Sequence, residues 1–293
     1  MEVQINIPGL TIAGKSYGDP ASSRKILCSH GWMDNCASFD LLAPVLAKEV
    51  NAHVIAIDLP GHGASSHRAS GHYYISVEYA ANLVEILQEL HWESPIVIGH
   101  SLSAGLLSIV TGSFPELIKA CVLIEGIGGS NQIISDAAAA FKRAVSSHSL
   151  NSSLQPTRCA SLEEATSLRH KNASLLGNGK QTLSVEAAAM LVKRGTRVSK
   201  DGTGVEFTHD KRIAGPSLIY PSEASIRQYL QAISCPVLLI TGLQGWPDDV
   251  YSKRLEFVKN LKHIKLPGSH HLHMDTQTYS PVGSSIIEFL RTI

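Results

Sequence analysis

The chain has 293 residues, 44% of them hydrophobic and 17% charged, a balance that supports a sizeable core and excludes a disordered chain or a coiled coil. Its 25 Lys and Arg equal its 25 Asp and Glu, so no basic excess draws nucleic acid or an anionic membrane surface. Residues 1–7 show neither a basic n-region nor an apolar h-region, and no apolar run approaches the ~18 residues of a membrane span; a cytoplasmic protein is expected.

In chain order, residues 3–7 and 10–17 alternate apolar and polar side chains around Pro8-Gly9 and predict an antiparallel hairpin at a sheet edge. Short β-branched, apolar runs follow at 25–29, 53–58, 96–99, 121–124, 236–241 and 263–266. Helical patterns at 39–48, 76–90 and 102–114 separate the first four of these runs, and 251–260 and 280–291 supply two more helices. This alternation predicts an α/β fold, with a mostly parallel eight-stranded sheet flanked by helices. The rhythm breaks between Glu125 and Cys235, where helices are predicted at 137–145, 161–169, 184–193 and 222–233, with polar connectors and no strand. Ser161-Leu-Glu-Glu164 forms a capping box for the second of these helices. At about 150 residues per domain the length alone suggests two domains in a row. Because strands resume after the break, the expected division is different: one core from 1–129 and 235–293, with 130–234 as an inserted helical cap. The five cysteines are odd in number and form no CxxC pair, which predicts reduced, buried thiols.

The strongest chemical motif is the run Ile96-Val-Ile-Gly-His-Ser-Leu-Ser-Ala-Gly105, a buried strand, a serine among small residues, then a helix. This is the form of a nucleophile elbow, in which a sharp turn lifts the Ser101 hydroxyl above the sheet and small neighbours let backbone pass closely. Gly99 fills the position two before Ser101, whereas Ser103 replaces the glycine usual two after it. The helix that follows places the Leu102 N–H where an oxyanion donor is needed. A second strand runs into the tight turn of His30-Gly-Trp-Met-Asp-Asn35, and a third into Asp58-Leu-Pro-Gly-His-Gly63.

These turns, in this order, together with Ser38-Phe39-Asp40 and Pro267-Gly-Ser-His-His-Leu-His-Met274, resemble the α/β-hydrolases, and within them the serine hydrolase-like proteins and their bacterial relatives. The resemblance spans nearly the whole chain and is weakest between about 130 and 205. It implies that the N–H of Trp32 is the second oxyanion donor, that the Trp32 indole lines the pocket, and that Asp58, upstream of the elbow, is structural. It also implies the chain order serine, acid, histidine. The family's histidine loop falls on His270, His271 and His273; an acidic residue often follows the base by five positions, as Asp275 follows His270, so His270 is the expected base and His271 the alternative. The usual place of the acid is occupied by Gly245, with Asp248 and Asp249 near it. The other family position, at the end of the preceding strand, holds Glu125, which is the expected acid.

The His-His-x-His run lacks a Cys or carboxylate set at zinc spacing, so no metal is expected, and acyl transfer by serine requires no organic cofactor. His30, His100, Trp246 and His271 are expected around the substrate. Phe207-Thr-His-Asp-Lys-Arg212 reads either as a ligand-facing or cap-to-core element or as a solvated charge cluster, the latter being the default. The expected function is hydrolysis of a carboxylic ester or related acyl compound, with a small, uncharged substrate as the partner. An aspartate nucleophile, as in dehalogenation or epoxide hydrolysis, is excluded by Ser101. The alternative, prompted by Ser103 and the displaced acid, is a ligand-binding relative with slow or no turnover.

Overall fold

Period-two alternation in the central strands feeds apolar side chains to both faces of one sheet. In the computed structural model, which describes residues 1–129, 136–175, 182–246 and 252–293, the core strands are β1 (Glu2–Ile7), β2 (Leu10–Tyr17), β3 (Arg24–Ser29), β4 (Ala52–Ile57), β5 (Ile96–His100) and β6 (Ala120–Ile124). The inserted segment adds the short β7 (Arg158–Cys159), β8 (Thr196–Val198) and β9 (Val205–Phe207), and the core resumes with β10 (Val237–Gly242) and β11 (Leu261–Leu266). Eight strands form one sheet in the order β1-β2-β4-β3-β5-β6-β10-β11. The β1–β2 and β2–β4 pairs are antiparallel and the remaining pairs parallel. The hairpin register Ile7↔Leu10 leaves Pro8-Gly9 as a two-residue turn, with Gly9 at φ +75° where a side chain would be strained.

Helices α1 (Leu42–Glu49), α2 (Ser76–Glu89) and α3 (Leu102–Ser113) follow β3, β4 and β5, and α9 (Tyr279–Leu290) closes the chain. Ile96, Ile98, Val122, Leu238 and Ile240 join the α1 and α9 residues Leu42, Leu46, Val282 and Ile286 on one face. Their strand neighbours Val97, Cys121, Leu123, Val237 and Leu239 join Leu83, Ile86, Leu106, Leu107 and Val110 of α2 and α3 on the other. Two cores therefore share one sheet, and the parallel strands are buried on both sides, which is why they read as continuous apolar runs. All five cysteines are buried and free. Among the described residues no helix is long and apolar enough to cross a membrane.

Between β6 and β10 lie α4 (Ala137–Ser152), α5 (Leu162–Leu175), α6 (Val185–Gly195) and α7 (Glu223–Ala232). Each begins on a polar cap. Asp136 accepts from Ala139 N, Ser161 from Glu164 N, Ser184 from Ala187 N and Ser222 from Ser225 N. The segment differs from expectation by containing a three-stranded antiparallel sheet, β7-β9-β8. Strands of two and three residues are too short to display an alternation, and tertiary packing rather than pattern selects them. The helix expected at 251–260 is reduced to α8 (Ser252–Leu255), with Tyr251 outside the described residues, and the following strand starts at Leu261. The one at 39–48 begins later, at Leu42, because residues Cys36–Phe39 form a separate 3-10 turn capped by Asn35.

Candidate active site

The strand β5 ends on His100 and α3 begins on Leu102, so the chain must reverse direction at Ser101, which takes φ 51° and ψ −110°. A non-glycine residue held there stores on the order of 1–3 kcal/mol of backbone strain. The turn is tight enough that a Cβ on Gly99 would lie 2.7 Å from Ser103 backbone atoms, and one on Gly126 would lie 2.8 Å from the Ser101 carbonyl. Ser103, the departure from the usual elbow glycine, is fully buried. Its hydroxyl donates to the His30 carbonyl at 2.6 Å and accepts from Ser29 Oγ at 2.7 Å, lacing the elbow to the end of β3. Leu102 is the first residue of α3, so its N–H belongs to the first turn, whose donors have no intrahelical acceptor.

The loop after β11 brings His270 over the elbow. Its Nε2 lies 2.9 Å from Ser101 Oγ, and its Nδ1 lies 3.0 Å from Glu125 Oε2. Glu125 follows β6 directly, at φ 55°, and its carboxylate also accepts from Gly242 N at 2.6 Å and Trp246 N at 3.2 Å. Gly245 gives this arrangement a steric reason: a Cβ there would stand 2.4 Å from Glu125 Oε1. The absence of a side chain at 245 opens the space into which the Glu125 carboxylate projects. Asp248 and Asp249 lie outside the described residues.

Burial raises the Glu125 carboxyl above its usual range, and the N–H groups of Gly242 and Trp246 pull it back. Burial, followed by the neighbouring His100 and His271, drives His270 well below the ordinary imidazole range, while the Asp34 carboxylate acts in the opposite direction. A neutral His270 whose Nδ1–H donates to Glu125 leaves Nε2 as the acceptor for the Ser101 hydroxyl. A hydroxyl, an imidazole and a carboxylate joined in this way can activate an alcohol as nucleophile.

The residues expected around the substrate are placed differently from one another. Trp246 is partly exposed and sets its ring edge-on to His270, with centroids 5.6 Å apart. Trp32 is 42% exposed, and its indole donates to the Ile213 carbonyl at 2.9 Å, tying the loop after β3 to the inserted segment. His30 does not face a pocket. It is fully buried, with Nε2 accepting from Leu59 N and Nδ1 against its neighbour's carbonyl, so both nitrogens serve the backbone. His100, likewise buried, turns its Nε2–H to the His270 carbonyl. His271 directs Nδ1 toward the Thr182 carbonyl at 3.3 Å and Nε2 toward Asp34 at 3.6 Å.

Two polar tethers escaped sequence reasoning. Asp58, fully buried, accepts from Cys36 N, Ala64 N and Arg194 of α6. Asp34, also buried, accepts from Arg169 of α5 at 2.7 Å. Both acids were visible in glycine-turn motifs, but their arginine partners lie 135 and 136 positions away, beyond any spacing rule. The 207–212 run is not a solvated cluster. Asp210 is buried against Arg212 and the Tyr74 hydroxyl, its N–H donates to the Gly61 carbonyl, and Arg212 donates to the carbonyls of Arg68, Ala69 and His72.

Comparison with known proteins agrees with this architecture. The chain is 32% identical to a serine hydrolase-like protein of Dictyostelium discoideum, over 99% of this chain and 81% of that protein. It is 27% identical to serine hydrolase-like protein 2 of Homo sapiens, over 99% of this chain and 94% of the relative. A hypothetical protein from Pseudomonas aeruginosa PAO1, solved by crystallography, superposes with a TM-score of 0.87 at 29% identity, covering 99% of both chains. The profile of the α/β hydrolase fold family matches residues 25–276, and with its eight-stranded sheet and elbow the chain belongs to that family.

Proposed function

We propose that the protein is a serine hydrolase that cleaves a carboxylic ester or a related acyl compound. The observation that carries this reading is the unbroken contact chain Ser101 Oγ–His270 Nε2 at 2.9 Å and His270 Nδ1–Glu125 Oε2 at 3.0 Å. Family membership and the serine hydrolase-like relatives support it. His270 takes the Ser101 proton as Oγ attacks the carbonyl carbon, and Glu125 stabilises the imidazolium that forms. The N–H groups of Trp32 and Leu102 hold the developing oxyanion, a contribution of about 3 kcal/mol per donor. Return of the proton to the leaving group gives an acyl-enzyme, which water attacks with His270 again as base. No metal or organic cofactor enters these steps.

In this reading residues 130–234 form a cap over a core built from 1–129 and 235–293, and selectivity comes from the cap rather than from charge steering. The balanced charge of the chain favours a small, uncharged acyl substrate over nucleic acid or an anionic surface. The working compartment consistent with five buried free thiols is the cytoplasm. A fluorophosphonate probe tests the reading. Covalent labelling of wild-type protein at Ser101, lost in Ser101→Ala, is expected together with turnover of p-nitrophenyl acetate. A folded protein inert to both would instead be a ligand-binding relative.

A further inference from the structure

Asp34, in the loop after β3, takes no part in the Ser101–His270–Glu125 chain, yet it is only 3% exposed. Its Oδ1 is held by Arg169. Its Oδ2, buried without a hydrogen bond, lies 3.5 Å from His100 Nδ1 and 3.6 Å from His271 Nε2. The His100 ring is 1% exposed, tilts against His273 with centroids 4.1 Å apart, and lies 4.7 Å from His270. His100 is joined through the chain to Ser101, and its Nε2 meets the His270 carbonyl at 2.9 Å. One ring thus spans the nucleophile and the backbone of the base.

The carbonyl accepts, so His100 Nε2 carries hydrogen. Its Nδ1 then presents either a lone pair or a second N–H, and only the N–H is attracted to a carboxylate. The space is reserved for this pair: a Cβ on Gly31 would stand 2.7 Å from His100 Nδ1 and 3.2 Å from Asp34 Oδ2. Burial opposes ionisation of Asp34, but His271, His100 and Arg169 around it hold the carboxyl well below its usual range.

We propose that Asp34 is a positioning residue for the Ser101–His270 pair and acts through His100. Its carboxylate fixes the His100 ring, and the ring's Nε2–H fixes the His270 backbone against the elbow. Through Arg169 the same carboxylate couples this alignment to the seating of α5. The inference rests on the hydrolase reading above.

The test compares truncating and conservative variants of both residues. Asp34→Ala and His100→Leu should lower kcat for p-nitrophenyl acetate, and the fluorophosphonate labelling rate, on the order of 10²-fold, as misplacement of reacting groups by about 1 Å does. KM should stay within about twofold, because only alignment for the transition state is lost. Asp34→Asn can accept from Arg169 and donate to a neutral His100 Nδ1, and His100→Gln offers an amide N–H near the place of Nε2–H. Each should keep about tenfold more kcat than its truncating partner. A merely structural role would lower Tm and the labelled fraction while leaving kcat per labelled serine unchanged. The proposal is overturned if Asp34→Ala keeps kcat per labelled serine within about threefold of wild type, or if conservative and truncating variants lose kcat equally. Should Asp34→Ala fail to fold, the His100 pair decides by the same ranking. Wild-type protein inert to probe and ester overturns the hydrolase reading and this inference with it, whereas reactive wild type with unaffected variants overturns this inference alone.

Discussion

The sheet core and the inserted segment are held by different forces. The core helices α1, α2, α3 and α9 start without a side-chain cap and are kept in place by apolar burial on two faces of the sheet. The inserted helices α4 to α7 each start on a Ser or Asp cap. Apart from α7, which lends Ile226 and Leu230 to the core, they bury small clusters among the described residues, such as Cys159, Ala165 and Val192. Directional contacts seat the segment instead: Arg169–Asp34, Arg194–Asp58, Arg212 to the 68–72 carbonyls, Thr208 to the Gly63 carbonyl, and Asn35 to the Leu191 carbonyl. Apolar burial is tolerant of angle, whereas ion pairs and hydrogen bonds are not. The difference therefore separates a scaffold that carries Ser101, Glu125 and His270 from a segment whose seating on that scaffold is specified contact by contact.

The largest effect expected is on chemistry alone. Ser101→Ala should lower kcat by roughly 10⁶-fold with Tm unchanged, since the side chain lost is a hydroxyl at a site built by backbone. Retained turnover in steady-state assays would remove Ser101 from the mechanism. Glu125→Gln should cost about 10⁴-fold in kcat by disturbing the tautomer and charge of His270. Gly245→Ala should act in the same direction, because its methyl would displace the carboxylate it nearly touches. A Gly245→Ala enzyme with normal kcat would show that the Glu125 contact is dispensable.

Stability measurements then set the two regions against each other. Arg194→Met leaves the fully buried Asp58 without its cation, and should destabilise by about 3–5 kcal/mol in urea unfolding. Leu107→Ala, at a position 1% exposed between α3 and the sheet, should cost about 2–5 kcal/mol. If Arg194→Met proves neutral, the directional account of the inserted segment is wrong. Trp32→Phe, which removes one hydrogen bond to Ile213, should cost only about 1 kcal/mol.

A pH titration reaches the core histidines. Burial lowers His30, His62, His270, His271 and His273 below the ordinary imidazole range in the folded protein. Below about pH 6.5 the unfolded chain binds more protons than the folded one, so stability should fall as pH drops from neutrality. The acid limb of kcat/KM should lie below about 6.5, since His270 remains neutral to lower pH than a free imidazole. A limb at or above that value would contradict the burial of the base.

The strands were legible where alternation or apolar runs lasted five residues or more, as in β5 and β10, because such runs must be buried on a pleated sheet. The pieces β7, β8 and β9 were illegible because two or three residues carry no period. At the candidate site, Ser101 was legible from local turn chemistry. Glu125 was legible only through the family resemblance, which offers two places for the acid, one of them held by Gly245 and the other by Glu125. The Asp34–His100 contact was invisible, since 66 positions separate two residues whose own motifs serve other purposes. His30 and His100 were expected around the substrate, but both nitrogens of His30 and the Nε2 of His100 are committed to backbone groups.

By itself the sequence determined the alternation of strands and helices, the sharp turn at Ser101 and the interruption after β6, because each follows from local periodicity or from the room a small residue leaves. Only the tertiary structure decided which histidine meets the serine, which carboxylate meets the histidine, and which acids pin the inserted segment. Those pairings join residues up to 169 positions apart, and distance along the chain says nothing about separation once strands lie side by side in a sheet.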